Sequence, residues 1–145
     1  MRLMPILGRP LAAIVLGGLL AVPVQADGEG DAEYRHHTME AVGGHMQAMV
    51  DILQQKVPHT AHLALHANAM ADLASIADTL FPEGSEGGEA LPAIWEDPED
   101  FAEKLAAFQE AAAGLQGAVG GAGFGPAFQE LGQSCKSCHD NYREE

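Results

Sequence analysis

Cysteine is scarce in this chain: two residues, Cys135 and Cys138, both near the C-terminus. A small scaffold stapled by several disulfides is thereby excluded. Positive charge is also in short supply, with seven Lys and Arg against twenty-one Asp and Glu and a formal charge of −14. Affinity for nucleic acid rests largely on clustered Lys and Arg, so that class of partner is excluded, and docking on an anionic membrane surface is disfavoured. The alternating β-branched pattern of strands is almost absent, so strands are not needed. What remains suffices for a core. Apolar residues make up 47% of the 145, rich in Ala, Leu and Met, the content of one globular domain.

Residues 1–26 read as a targeting segment. Arg2 and Arg9 form a positive start, Leu11 to Val22 is apolar and uncharged, and Val24-Gln25-Ala26 offers a small-residue cleavage site. The apolar core is about 12 residues, short of the roughly 20 that span a bilayer as a helix. Cleavage after residue 26 of 145 leaves 119 residues, five bases and twenty-one acids, a charge of about −16. Export to a bacterial periplasm, without stable membrane insertion, is the expectation.

Four segments carry helical periodicity. The first, from about Ala32 to Lys56, places Arg35, Met39, Val42, Met46, Met49 and Leu53 on one stripe, and Pro58 ends it. The second runs from about His59 to Leu80, with Leu63, His66, Met70, Leu73, Ala77 and Leu80 on one face. A loop follows from Phe81 to Glu96, long for a bundle, with the run Gly84-Ser85-Glu86-Gly87-Gly88 inside it. The third segment opens on Asp97 as N-cap, Pro98 in the first helical position and the acids Glu99 and Asp100. Its stripe is Phe101, Leu105, Phe108, Ala112, Leu115 and Val119. The fourth starts near Pro126, and its stripe is Phe124, Phe128, Leu131, Cys135, Cys138 and Tyr142. The fold class that follows is all-α, an antiparallel up-down four-helix bundle spanning residues 27–145.

Cys135-Lys136-Ser137-Cys138-His139 is a C-x-x-C-H sequence, the attachment signature for c-type haem. Two thiols one helical turn apart can add to the two vinyl groups of one haem, and the adjacent imidazole can serve as the axial iron ligand. Export agrees with this reading. Other uses of the cysteines have weaker support. A thioredoxin-type dithiol belongs beside a βαβ pattern, which is missing, and a structural zinc site wants four ligands. An incidental disulfide in an oxidising compartment stays open. No HExxH, G-x-S-x-G or P-loop pattern occurs.

The chain resembles the cytochrome c′ family of periplasmic four-helix haem proteins. The resemblance rests on Tyr34-Arg35 with Met39, on Gly84 to Trp95, and on Ser134 to Arg143, which holds the C-terminal motif. It implies one covalent haem c held by Cys135 and Cys138, with His139 as the iron ligand. It implies that Arg35 meets a haem propionate, the buried anionic partner that a lone Arg on an apolar stripe calls for. His36 follows as a second haem contact, Met39 falls on the distal face, and Glu86 and Glu89 lie in the loop bordering the haem. Arg143, one turn after His139 on the same face, is placed to modulate that imidazole.

The family likeness further implies five-coordinate iron that binds NO or CO, transfers electrons to a redox protein partner, or does both. Without a distal acid–base pair the site suits ligand trapping better than enzymatic catalysis. The alternative within the same fold is a low-spin electron carrier with Met39 as sixth ligand. A homodimer through the first two helices is also implied, with Val50, Ile52 and Val57 supplying apolar surface beyond the stripe. Outside the motif, His62 and His66 share a helical face with His59 nearby. That spacing suits either a metal ion or a solvated polar face.

Overall fold

The computed structural model describes residues 28–144; the targeting segment read at residues 1–26 lies outside the described residues. Five helices follow in order: α1 (Gly28–Leu53), α2 (Leu63–Ala74), α3 (Ala93–Glu96), α4 (Pro98–Gly117) and α5 (Phe124–Tyr142). Among the described residues no helix is long and apolar enough to cross a membrane. No strand forms there either, only isolated bridges pairing Ala90 with Gly87 and with Arg143.

The four long helices form the expected up-down bundle, and side-chain bonds establish each direction. Arg35, early in α1, bonds to Leu80, past the end of α2. Gln109 Nε2 donates to the Ala74 carbonyl and Gln116 Nε2 to Asn68 Oδ1, both at 3.1 Å, so α2 and α4 run oppositely. Tyr142 at the end of α5 donates to Asp100 at the start of α4. Packing is close between α1 and α2, α2 and α4, and α4 and α5, whereas α1 and α5 approach each other less closely. The core between them holds Met49, Met70, Leu115 and Leu131, all fully buried.

Helix α1 begins earlier than the sequence reading, at Gly28, and α3 falls inside the expected loop; the other departures have local reasons. Helix α1 stops at Leu53 rather than Lys56, because Gln55 takes a left-handed conformation (φ 59°) that closes the last turn. The second helix is regular only over Leu63–Ala74, with 3₁₀ turns at Thr60–His62 and Ala77–Leu80 on either side. Ser75 and Thr79 donate their hydroxyls to the carbonyls of Asp72 and Ile76, at 2.7 Å each, and such local bonds compete with the helical ladder. The buried face of α1 also drifts. Ile52 is core while Leu53 is 40% exposed, reversing their expected roles, since Met49 and Ile52 follow a step of three rather than four. Asp97 caps α4 as its sequence predicts, accepting from the Asp100 amide at 3.3 Å with Pro98 in the first turn.

Candidate haem site

Helix α5 carries the C-x-x-C-H motif near its end. Cys135 and Cys138 are free thiols, half-buried and packed on the edge of the core. Burial pushes both thiols up, Cys138 to about 11, so they are neutral thiols at physiological pH. His139 is exposed to solvent. Its pKa is lowered, first by desolvation and then by Arg143, against opposing contributions from Glu89 and Asp140. The ring is therefore neutral, as an axial ligand must be.

The two thiols and the imidazole do not gather round a point. Among the described residues, the group of three metal-ligating side chains that converges is His36, His37 and Glu40, not the motif. Donors spread along a helix edge suit a wide planar ligand better than a single zinc ion.

The register between α1 and α5 then places the opposite wall. The Met46 methyl lies 3.5 Å from where a Cβ would stand on Gly132, an ordinary packing contact that fixes the register of α1 against α5. From that contact α1 runs back seven residues to Met39 while antiparallel α5 runs on seven to His139. At 1.5 Å per residue both travel about 10 Å the same way. Met39, half-buried, therefore stands level with His139 across the looser α1–α5 seam. Two clefts elsewhere, of about 530 and 380 Å³, border neither residue.

Arg35 is only 5% exposed, as the apolar stripe implies, but its terminal nitrogens serve the chain itself. Nη1 donates to the Leu80 carbonyl (3.2 Å) and to Ser85 Oγ (3.0 Å), and Nη2 donates to the carbonyls of Ser85 (2.8 Å) and Gly87 (3.1 Å). The guanidinium also lies over Phe81 and Trp95, 5.1 and 5.8 Å from the ring centroids. Its partners in the fold are thus neutral carbonyls and a hydroxyl, with Asp31 and Glu86 acting at longer range. Ser85, fully buried, is the residue that sequence reasoning missed; a serine among glycines gives no signal of burial.

Arg143 follows His139 by one turn, and its amide donates to the His139 carbonyl at 3.2 Å. The helix ends at Tyr142, and Arg143 itself is extended (φ −125°, ψ 137°). Its side chain turns to Glu89, with Nη2 to Oε2 at 2.7 Å and Nε to Oε2 at 2.8 Å. The backbone reinforces this: Leu91 N–H donates to the Tyr142 carbonyl (3.0 Å) and Glu144 N–H to that of Glu89 (2.8 Å). Loop 81–92 is therefore a strap, anchored to α1 by Arg35 and to the end of α5 by residues 142–144. Glu86 is exposed on it.

His36 lies on the outer side of α1. It is exposed beside His37, with Nε2 3.7 Å from Glu40, because the buried face of α1 passes through Arg35 and Thr38 instead. Phe101 packs edge-on against Phe81 and Tyr142, and Trp95 Nε1 donates to the Pro82 carbonyl at 3.2 Å.

The family model described as Cytochrome C′ matches residues 31–143. The chain belongs to the cytochrome c′ family. Membership brings covalently bound haem c, which the donor set of α5 fits. Cytochrome c-554 of Cereibacter sphaeroides is 38% identical, over 94% of this chain and 98% of that relative. Among solved structures, cytochrome c prime from Shewanella frigidimarina superposes with a TM-score of 0.78 at 33% identity, covering 83% of this chain and 99% of that one. The nitric oxide complex of a cytochrome c prime mutant from Alcaligenes xylosoxidans gives 0.77 at 30% identity, covering 83% and 99%.

Proposed function

We propose that Cys135 and Cys138 anchor the haem by thioether bonds, that His139 is its one strong axial ligand, and that the protein binds NO or CO and passes electrons in the periplasm. Haem iron supplies the redox centre and the site for a diatomic ligand. The observation that carries this reading is the register of the α1–α5 seam, which sets Met39 level with His139, together with the engagement of most polar groups flanking Met39 on α1. Thr38 Oγ1 donates within its own helix to the Tyr34 carbonyl at 2.8 Å, and the terminal nitrogens of Arg35 serve the strap. With the Arg35 Nε–H as the one donor left over from these bonds, such a wall disfavours anions and polarised dioxygen. Ligand binding and electron transfer are the roles assigned.

The strap borders this seam through Glu86 and Glu89. Arg143 holds the strap to α5 and lowers the pKa of His139, which supports its role as a modulator of the axial ligand. Arg35 can turn only its remaining Nε–H to a propionate while its other bonds persist. A dimer built on α1 and α2 draws on Leu53, Val57 and Leu65, which are 36–60% exposed, rather than on buried Ile52.

The register favours a second reading, with the Met39 thioether as sixth ligand. Visible absorption of the purified protein separates the two. A broad high-spin Soret band with rapid CO and NO uptake supports five-coordinate iron. Sharp low-spin α and β bands with little uptake, lost in Met39→Leu, support the methionine. Haem that does not remain on the chain in a denaturing gel overturns both.

A further inference from the structure

Across the α1–α2 seam, His45 Nδ1 and His66 Nδ1 lie 2.9 Å apart, with ring centroids separated by 5.2 Å. Both residues are half-buried, and neither belongs to the haem site. A contact this short between two ring nitrogens requires one to donate and the other to accept, so at least one imidazole is neutral and offers a lone pair toward the seam. Two imidazole ligands bound to zinc at 2.0–2.1 Å in tetrahedral geometry have nitrogens roughly 3.3 Å apart. The observed pair needs to open by less than half an ångström, with both rings turning so that their Nδ1 lone pairs converge on an ion beside the line joining them.

We propose that His45 and His66 form an inter-helical clamp for one divalent transition-metal ion such as zinc or copper, with water completing the coordination. The two ligands come from different helices, so the ion ties α1 to α2 and binds the folded chain more tightly than the unfolded one. The cluster of His36, His37 and Glu40 is a different case. Its three side chains are exposed on neighbouring turns of one helix, and an ion there joins nothing. Copper outranks zinc for imidazole ligands, but zinc has no redox chemistry and leaves the haem untouched, so it is the better probe.

The test is zinc titration of the haem-loaded, chelator-treated protein by calorimetry and by thermal melting. One saturable site per chain is expected, with a melting temperature that rises with free zinc. His45→Gln and His66→Gln should each weaken that site at least tenfold, while a His36→Gln/His37→Gln double variant retains it. Undiminished zinc affinity in both single variants, or its loss only in the double variant, overturns the clamp. Anomalous scattering from a zinc-soaked crystal of the unaltered protein gives an independent answer that needs no variant. Density between α1 and α2 supports the assignment, and zinc found only elsewhere refutes it.

Discussion

Replacing Arg35 by Met keeps most of the stem volume and removes the guanidinium, which tests whether the strap is anchored as described. Four acceptors lose their donor: the carbonyls of Leu80, Ser85 and Gly87, and Ser85 Oγ. Gly87 is exposed, so water can replace the arginine there. Leu80 and Ser85 are 2% and 0% exposed, and their three acceptors are left dry. Ser85 Oγ keeps its own donation to the Pro82 carbonyl at 2.8 Å, which holds the side chain but does not satisfy its lone pair. A buried acceptor stripped of its donor costs about 1–3 kcal/mol. Three of them, softened by relaxation of the loop, give an expected loss of about 3–5 kcal/mol, a large share of the 5–15 kcal/mol typical of a domain. Guanidinium unfolding of the haem-loaded protein measures this as a lower midpoint with an unchanged slope. Hydrogen exchange adds the location, since the Ser85 and Ala90 amides should lose protection well before those of α4. A loss below about 1 kcal/mol, the level of an exposed ion pair, would refute the anchoring argument.

Leu131, fully buried on α5 below the motif, should cost about 2–5 kcal/mol as Leu131→Ala, read from the same denaturation curves. Tyr142 donates to Asp100 at 2.6 Å, and the neighbouring carboxylate pushes its phenol up to about 12. Phenolate titration in a Tyr34→Phe background should therefore find the remaining tyrosine ionising near pH 12. Its raised pKa means that the contribution of this latch is present below pH 10 and is lost as pH rises through 12; ionisation near 10 would show the bond to be absent. His66 has a lowered pKa, chiefly from burial and then from His45 and His62. The unfolded chain takes up the proton first, so in metal-free buffer stability should hold above about pH 6.5 and fall as pH drops below it. His66→Gln should flatten that slope, as followed by melting temperature against pH.

Much of the architecture was legible because it depends on short-range chemistry. The periodic stripes, the Asp97 cap with Pro98 and the C-x-x-C-H spacing each act within one or two turns of chain, so composition and order suffice to read them. The same holds for the haem itself, since two thiols and an imidazole within five residues share one helix wherever that helix packs. Residues whose roles depend on distant parts of the chain were read less well. Arg35 was rightly placed inside, but its donors go to carbonyls 45 to 52 residues away, a choice that no local pattern encodes. Arg143 follows the same logic: only once α5 ends against the strap does its side chain turn to Glu89. His45 and His66, 21 residues apart on different helices, meet only because α1 and α2 pack at that register. The sequence by itself determined the helices and the cofactor chemistry. The tertiary structure decided which side chains face the seam, because partners there are set by packing of helices against one another, and that depends on the whole chain.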